Sequence, residues 1–171
     1  VVDMDIYTDT TIENSTLIVN GSIHVYATFR LVNSTLIFGK SGQSFLEIYS
    51  GGSLILENAT IMPLNESTEY CIVGRPESSI MLMNSRILDA GIGAEGYGGI
   101  TANGSNIYIE QTEILGADIG VLIRGYGNAT IIDSNISICD TAILAKDFYG
   151  QASIIGTVHI GNNVSVHISV S

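Results

Sequence analysis

The 171-residue sequence has little positive charge, few prolines, only two cysteines and no tryptophan. Six Lys and Arg residues stand against 17 Asp and Glu residues, so the formal net charge is −11. Because phosphate contacts need clustered cations, this composition argues against a nucleic-acid partner. The scarcity of proline leaves long stretches in which strands can run uninterrupted. No run reaches the roughly 18 apolar residues that cross a bilayer, so the sequence predicts no membrane span.

The chain does contain an internal repeat. An eight-residue phrase recurs with an apolar residue at position one, usually Asn at position three, and Ile or Leu at position six. The third positions of its occurrences are Asn14, Asn33, Asn58, Asn84, Gln111, Asp133 and Gly156. A second phrase, written FLEIYSGGSLILEN from Phe45 and GVLIRGYGNATIID from Gly120, repeats in step with the first. Two phrases recurring together predict a repeat architecture.

The composition of the repeats favours strands over helices. They are rich in Ile, Val, Thr and Tyr, and apolar residues alternate along the chain, as at Ile107 and Ile109. We therefore predict an all-β protein whose single domain, residues 1–171, is a parallel β-helix of about seven rungs. At about 4.8 Å per rung, such a solenoid would be roughly 30–35 Å long.

Equivalent positions of successive rungs form columns, and one predicted column is an Asn ladder. Its members are Asn14, Asn33, Asn58 and Asn84. Asn tolerates the left-handed backbone of a tight turn, and stacked side-chain amides can hydrogen-bond from rung to rung. We expect both features at these positions.

These phrases resemble those of right-handed parallel β-helix proteins of the pectin-lyase-like superfamily, over roughly residues 12–161. The resemblance implies the right-handed fold. It implies no particular function, because that superfamily holds lyases, hydrolases, adhesins and structural proteins. In style, the many glycosylation motifs are also similar to those of archaeal cell-surface glycoproteins of the S-layer or sheath type.

Nine N-x-S/T motifs occur. The chain has 12 Asn residues and 31 Ser and Thr residues, and a random order of its 171 residues would give fewer motifs. The excess predicts an extracellular, cell-surface protein with N-glycans. Three motifs begin at ladder residues, where the turn itself could select Asn-Ser-Thr. The glycosylation candidates outside the ladder are Asn20, Asn65, Asn103, Asn128, Asn135 and Asn163.

The two ends of the chain read as strands without clear end caps. The sequence begins VVDMDIYTD and finishes NVSVHISVS, still alternating. Because a bare terminal rung exposes core side chains and an open strand edge, we expect subunits to stack through both terminal rungs into a homo-polymer. A segment cut from a larger protein, or a cap of irregular residues, would explain the same ends.

Cys71 and Cys139 fall three rungs apart, too far for an intrachain disulfide. Each is either an ordinary buried thiol or a candidate for an intersubunit disulfide that locks an extracellular assembly.

Charged residues also recur in columns. Arg75, Arg124 and Lys146 occupy nearly the same place in three repeats, each six residues after Glu69, Asp118 or Asp140. These columns are either complementary stripes between neighbouring solenoids or solvated corners.

Catalytic chemistry is not evident in the sequence. The acids of the column lack any accompanying catalytic motif, and the three His residues are isolated in strand-like segments. We predict no enzyme activity, no metal site and no cofactor. Tyr97, Tyr126 and Tyr149 lie in turn regions, where they could stack on sugars.

The sequence therefore predicts a structural subunit of an extracellular cell-envelope polymer, namely a sheath, S-layer or filament. The alternative is a carbohydrate-binding or carbohydrate-active β-helix module.

Overall fold

The structure, a computed structural model, describes residues 3–92 and 97–169, and every regular element in these ranges is a β-strand. The strands in chain order are β1 (Met4–Ile6), β2 (Thr10–Glu13), β3 (Thr16–Val19), β4 (Ile23–Val25), β5 (Thr28–Val32), β6 (Thr35–Phe38), β7 (Gly42–Ile48), β8 (Ser53–Glu57), β9 (Thr60–Pro63), β10 (Thr68–Gly74), β11 (Ser79–Met83), β12 (Arg86–Leu88), β13 (Ile100–Asn103), β14 (Asn106–Glu110), β15 (Glu113–Leu115), β16 (Ile119–Gly125), β17 (Asn128–Ile132), β18 (Asn135–Ser137), β19 (Thr141–Phe148), β20 (Gln151–Ile155) and β21 (Val164–Ser169).

Strands that are three apart in chain order belong to the same sheet, except that β21 follows β19 in its sheet. All strand pairs within the three sheets are parallel. Sheet 1 has the order β1-β4-β7-β10-β13-β16-β19-β21, sheet 2 the order β2-β5-β8-β11-β14-β17-β20, and sheet 3 the order β3-β6-β9-β12-β15-β18. Each rung, meaning one turn of the chain, adds one strand to each sheet. The result is a parallel β-solenoid of about seven turns, which confirms the predicted fold class.

Side chains of equal register stack into columns, and the inward columns form one core. In sheet 2, Leu31, Leu56 and Leu82 lie in register and none is exposed to solvent. The core cluster continues along the solenoid from Ile6 to Ile143. Burying each such side chain contributes about 1.5–3 kcal/mol, so every rung depends on its neighbours for most of its stabilisation.

A second, small core lies outside the solenoid. Cys71, Val73 and Ile92 are buried together, with Phe45 and Tyr97 packed against them. Cys71 and Val73 are on β10, and Ile92 comes from the chain that follows β12. This connection therefore covers part of the outer face of sheet 1.

The predicted Asn column forms the turn between sheets 2 and 3, and its backbone is left-handed in every rung. The φ angles are +51° at Asn14, +48° at Asn33, +50° at Asn58, +49° at Asn84, +48° at Gln111, +46° at Asp133 and +62° at Gly156. Amide groups of this column also bond from rung to rung: Asn33 Nδ2 donates to Asn14 Oδ1, and Asn58 Nδ2 donates to Asn33 Oδ1, each at a distance of 3.3 Å. The turn chemistry thus sets the same register in each rung.

A second column, of buried hydroxyls, runs beside the Asn ladder. Its members Ser34, Ser85, Thr112 and Ser134 each donate to the carbonyl two residues earlier. Each also accepts an N–H from the preceding rung, as Ser85 Oγ does from Ala59 at 3.2 Å. This turn therefore favours Asn followed by Ser or Thr for a structural reason that is independent of glycosylation.

The hydroxyl column is interrupted at Ala59, which allows a matched pair of stability tests. In Ala59→Ser, the new hydroxyl would accept the N–H of Ser34 and donate to the carbonyl of Glu57. We expect this variant to be more stable by about 1 kcal/mol. Ser85→Ala leaves the buried N–H of Ala59 without its partner, and we expect a loss of about 1–3 kcal/mol.

Urea titration measures the free energy of unfolding of both variants against the wild type. A destabilised Ala59→Ser together with a neutral Ser85→Ala would contradict the role assigned to the hydroxyl column.

Candidate functional site

The final rung exposes side chains that belong to the core columns. We call β20, residues 157–160 and β21 the C-terminal edge. Ile154 is 38% exposed, whereas Ile131 in the same column of the rung below is fully buried. Val166 is 43% exposed, whereas Ile143 beneath it is 1% exposed. These side chains have the position of core residues and lack a covering rung among the described residues.

The backbone of the C-terminal edge is hydrogen-bonded on one side only among the described residues. β20 and β21 are the last strands of their sheets, so each has one neighbouring strand in the described part of the chain. Residues 157–160 pair with β18, since the N–H groups of Ile136 and Ile138 donate to the carbonyls of Val158 and Ile160. Each open strand therefore presents N–H and C=O groups to a further parallel strand. Ile155, Val158, Ile160 and Val164 add exposed apolar surface.

The opposite end, which we call the N-terminal edge, consists of residues 3–19, which include β1, β2 and β3, and it is acidic. Its acids are Asp3, Asp5, Asp9 and Glu13. Two of them bind the next rung: Asp3 Oδ1 accepts the N–H of Ser22 at 2.8 Å, and Asp9 Oδ1 accepts that of Thr28 at 2.9 Å. The hydrogen bond from the Thr28 N–H lowers the pKa of Asp9, so this carboxylate stays charged at neutral pH. The core residues Met4, Ile12 and Leu17 are only partly buried here.

The third Asp of the N-terminal edge forms a pair with a histidine. Asp5 Oδ1 lies 2.9 Å from Nδ1 of His24, which occupies the register position directly opposite on β4. The Asp5 side chain remains 45% exposed. A carboxylate accepts several hydrogen bonds, so it has capacity for a second partner.

A ladder of three stacked tyrosines, which sequence reasoning missed, begins at the same edge. The ring centroids of Tyr7 and Tyr26 are 4.9 Å apart, and those of Tyr26 and Tyr49 are 4.6 Å apart. The stacked rings are nearly parallel, with interplanar angles of 9° for the first pair and 14° for the second. Tyr7 ends the stack and is 68% exposed. The signal was present, because the three tyrosines recur nearly in step with the Asn column.

Two members of the predicted cation column, Arg75 and Arg124, lie at equivalent positions two rungs apart, and Arg75 has a partner within the chain. Arg124 pairs in register with Asn103, and Arg75 follows Gly74, which pairs with Ala102. Arg75 forms a salt bridge with Glu47, whose side chain is only 13% exposed. The charge of Arg75 is therefore paired with a carboxylate on the neighbouring rung of the same solenoid.

The acids of the predicted column lie on the surface, separated from these cations. Glu69 Oε2 accepts a hydrogen bond from Gln43 Nε2 at 3.3 Å. Asp118 and Asp140 are exposed in adjacent rungs, just before β16 and β19. Within residues 3–92 and 97–169, no group of three or more His, Cys, Asp or Glu residues is arranged to hold a metal ion.

Both cysteines are buried free thiols. Cys71 is fully covered, and burial raises the pKa of its thiol to about 12. Cys139 is 4% exposed, and burial raises its pKa as well. Thiolate is the species that forms disulfides, so an intersubunit bond at either residue would require the covering side chains to move.

The glycosylation candidates differ in accessibility. Asn20, Asn65, Asn128 and Asn163 are exposed, whereas Asn103 and Asn135 are half-buried. Asn65 Oδ1 accepts the N–H of Ser67 at 3.0 Å within its own motif. Asn33 and Asn58 each donate one amide hydrogen to the ladder.

Two of the three turn tyrosines are open to solvent. Tyr126 and Tyr149 are 74% and 56% exposed, with ring centroids 5.3 Å apart. A groove beside Tyr126 is lined by Pro76, Asn103 and Gly104, among other residues. Tyr97 instead packs edge-on against Phe45, at 5.5 Å between centroids.

Comparison with known proteins gives no family. No protein-family model matches the chain, and a search of curated proteins finds no significant match. The described part of the chain also contains no helix of the length and apolarity needed to span a membrane.

The burial of the cysteines leads to a direct test of their oxidation state. We expect both thiols of the folded, non-reduced protein to react slowly with the chromogenic disulfide reagent DTNB at neutral pH. After denaturation without reductant, both should react rapidly, giving two thiols per chain. Fewer than two reactive thiols per chain would indicate a disulfide and would support the intersubunit bond.

Proposed function

We propose that the protein is a structural subunit of an extracellular cell-envelope polymer, a sheath, S-layer or filament, that assembles by end-to-end stacking of open rungs. The single observation that carries the proposal is the C-terminal edge, where the core-column residues Ile154 and Val166 are exposed. In this proposal a second copy contributes the rung that covers them. We also propose that the solenoid is right-handed, as the resemblance of its repeats to those of right-handed parallel β-helix proteins implies.

Stacking repeats the contact that holds the solenoid together. A further rung extends each of the three sheets by one parallel strand, which satisfies the open N–H and C=O groups of the edge. It also covers the side chains of Ile154 and Val166, each about two-fifths exposed. Such an interface has the geometry of the interior and needs no cofactor.

The outer surface favours growth along the axis over lateral clumping. The net charge of −11 gives separate solenoids a mutual repulsion. N-glycans at the exposed motifs of Asn20, Asn65, Asn128 and Asn163 would add hydrated bulk to the sides. An extracellular location provides both the glycans and the need for a resistant polymer.

Electron microscopy of the native protein tests the proposal. We expect filaments, hoops or sheets with an axial repeat of roughly 30–35 Å, equal to about seven rungs. Discrete monomers at high concentration, with and without reductant, would overturn it.

A pair of neighbouring substitutions on β20 makes the test specific. Ile154→Lys places a charge in an inward column at the C-terminal edge, and we expect it to abolish polymer formation. Ile155→Lys, one residue along, changes an outward column that carries Glu13, Glu57 and Glu110 in other rungs, and it should still polymerise. Equal unfolding midpoints of the two variants, each measured as unassembled protein, would show that the solenoid itself is intact.

The second candidate function is carbohydrate binding, favoured by the exposed pair Tyr126 and Tyr149 beside a groove. Sugar rings stack on such aromatic faces. Calorimetry with acidic and neutral oligosaccharides should then detect binding that Tyr126→Ala removes and Tyr7→Ala retains. Absence of heat with every oligosaccharide would leave the polymer subunit as the sole candidate.

A further inference from the structure

The structure also indicates how two copies would meet. Building on the proposed function, we propose that the polymer grows head-to-tail and in register, so that His167 of one copy contacts Asp5 of the next. The C-terminal edge of each copy receives the N-terminal edge of its neighbour, and every column continues across the joint.

The outer column of sheet 1 begins with an acid and ends with a histidine. It runs through Asp5, His24, Glu47, Val73, Thr101, Leu122, Leu144 and His167. In register, the residue that follows His167 is Asp5 of the next copy. The joint therefore places an imidazole directly beside a carboxylate.

This pair already exists once within the chain. Asp5 and His24 lie opposite each other on adjacent strands, with 2.9 Å between Oδ1 and Nδ1. His167 of a preceding copy would approach Asp5 from the other side with the same strand spacing, about 4.8 Å. The half-exposed carboxylate of Asp5 would then lie between two imidazoles.

The inner columns close in the same register. Val166 ends the column that Met4 begins, and Ile154 ends the column that Ile12 begins. All four side chains are less buried than the residues of the rungs between them. Head-to-tail contact in register therefore places apolar residues on apolar residues in both sheets.

Charge distinguishes this polarity from the reverse. The sequence has no Lys or Arg before Arg30, and residues 148–171 contain no Asp or Glu but two His residues. Two N-terminal edges brought together would place Asp3, Asp5, Asp9 and Glu13 against a second set of the same acids. Head-to-tail contact avoids this repulsion.

Cysteine pairs on sheet 2 test the register. The outward column from Thr11 to Ser153 has one member per rung. In the proposed joint the two positions are neighbours on parallel strands, about 4.8 Å apart, within the range for a disulfide. Within one chain they lie at opposite ends, so any bond between them joins two copies.

We expect mild oxidation of the Thr11→Cys, Ser153→Cys double variant to give a ladder of covalent oligomers on a non-reducing gel. The matched control, Glu13→Cys with Ser153→Cys, shifts the partner by two residues, about 7 Å along the strand, and should give none. The wild type, with buried Cys71 and Cys139, reports the background. His167→Asp should raise the concentration needed for polymerisation severalfold.

The remaining outcomes separate this inference from the proposed function. Cross-linking of the Glu13 pair but not the Thr11 pair would overturn the register while leaving end-to-end stacking intact. Covalent dimers of Ser153→Cys alone would show that two C-terminal edges meet, which overturns the head-to-tail polarity. Monomers by electron microscopy together with no cross-linking would overturn both proposals.

Discussion

Contact between each rung and the next is the interaction on which the whole structure depends. A single rung has no core of its own, because its inward side chains are covered only by equivalent side chains above and below. Leu31, Leu56 and Leu82 illustrate this, since each is buried by its neighbours in the column. The same dependence explains why Ile154, which lies in this column in the last rung that the structure describes, is exposed. The proposed stacking of copies therefore uses the same kind of contact that stabilises the fold.

The turn between sheets 2 and 3 keeps this stacking in register. A shift by one residue would turn a core column outward, so burial of one face already specifies the register, and the turn adds a local constraint. At the first three turns the left-handed Asn residues bind one another through the amide ladder, and at four turns a buried Ser or Thr hydroxyl accepts an N–H from the adjacent rung. These short polar side chains satisfy backbone groups that the turn would otherwise leave unpaired in the interior. In the proposed polymer, the register between copies would follow from the same physical constraint as the register within the chain.

The outer surface carries features that are independent of the core. The tyrosine ladder from Tyr7 to Tyr49 and the salt bridge between Arg75 and Glu47 connect neighbouring rungs from outside. Cys71 faces outward from its strand yet is buried, because the connection containing Ile92 covers it. Such outward contacts vary from rung to rung, whereas the core columns that contain Leu31 and Ile143 are apolar in every rung. Specific recognition by this protein is consequently expected at the edges or on the outer columns.

Much of the fold was determined by the sequence alone. Asn14, Asn33 and Asn58 recur because a left-handed turn accepts few residue types, and this local restriction is visible without any structure. The alternation of apolar residues likewise reveals strands, since it reflects the two faces of each one. The burial of Cys71, the choice of Glu47 as the partner of Arg75 and the alignment of Asp5 with His167 at opposite ends of one column were decided only by the tertiary structure. They depend on rung lengths that vary along the chain and on a connection that folds back over a sheet, so residues distant in sequence become neighbours only after the rungs have stacked.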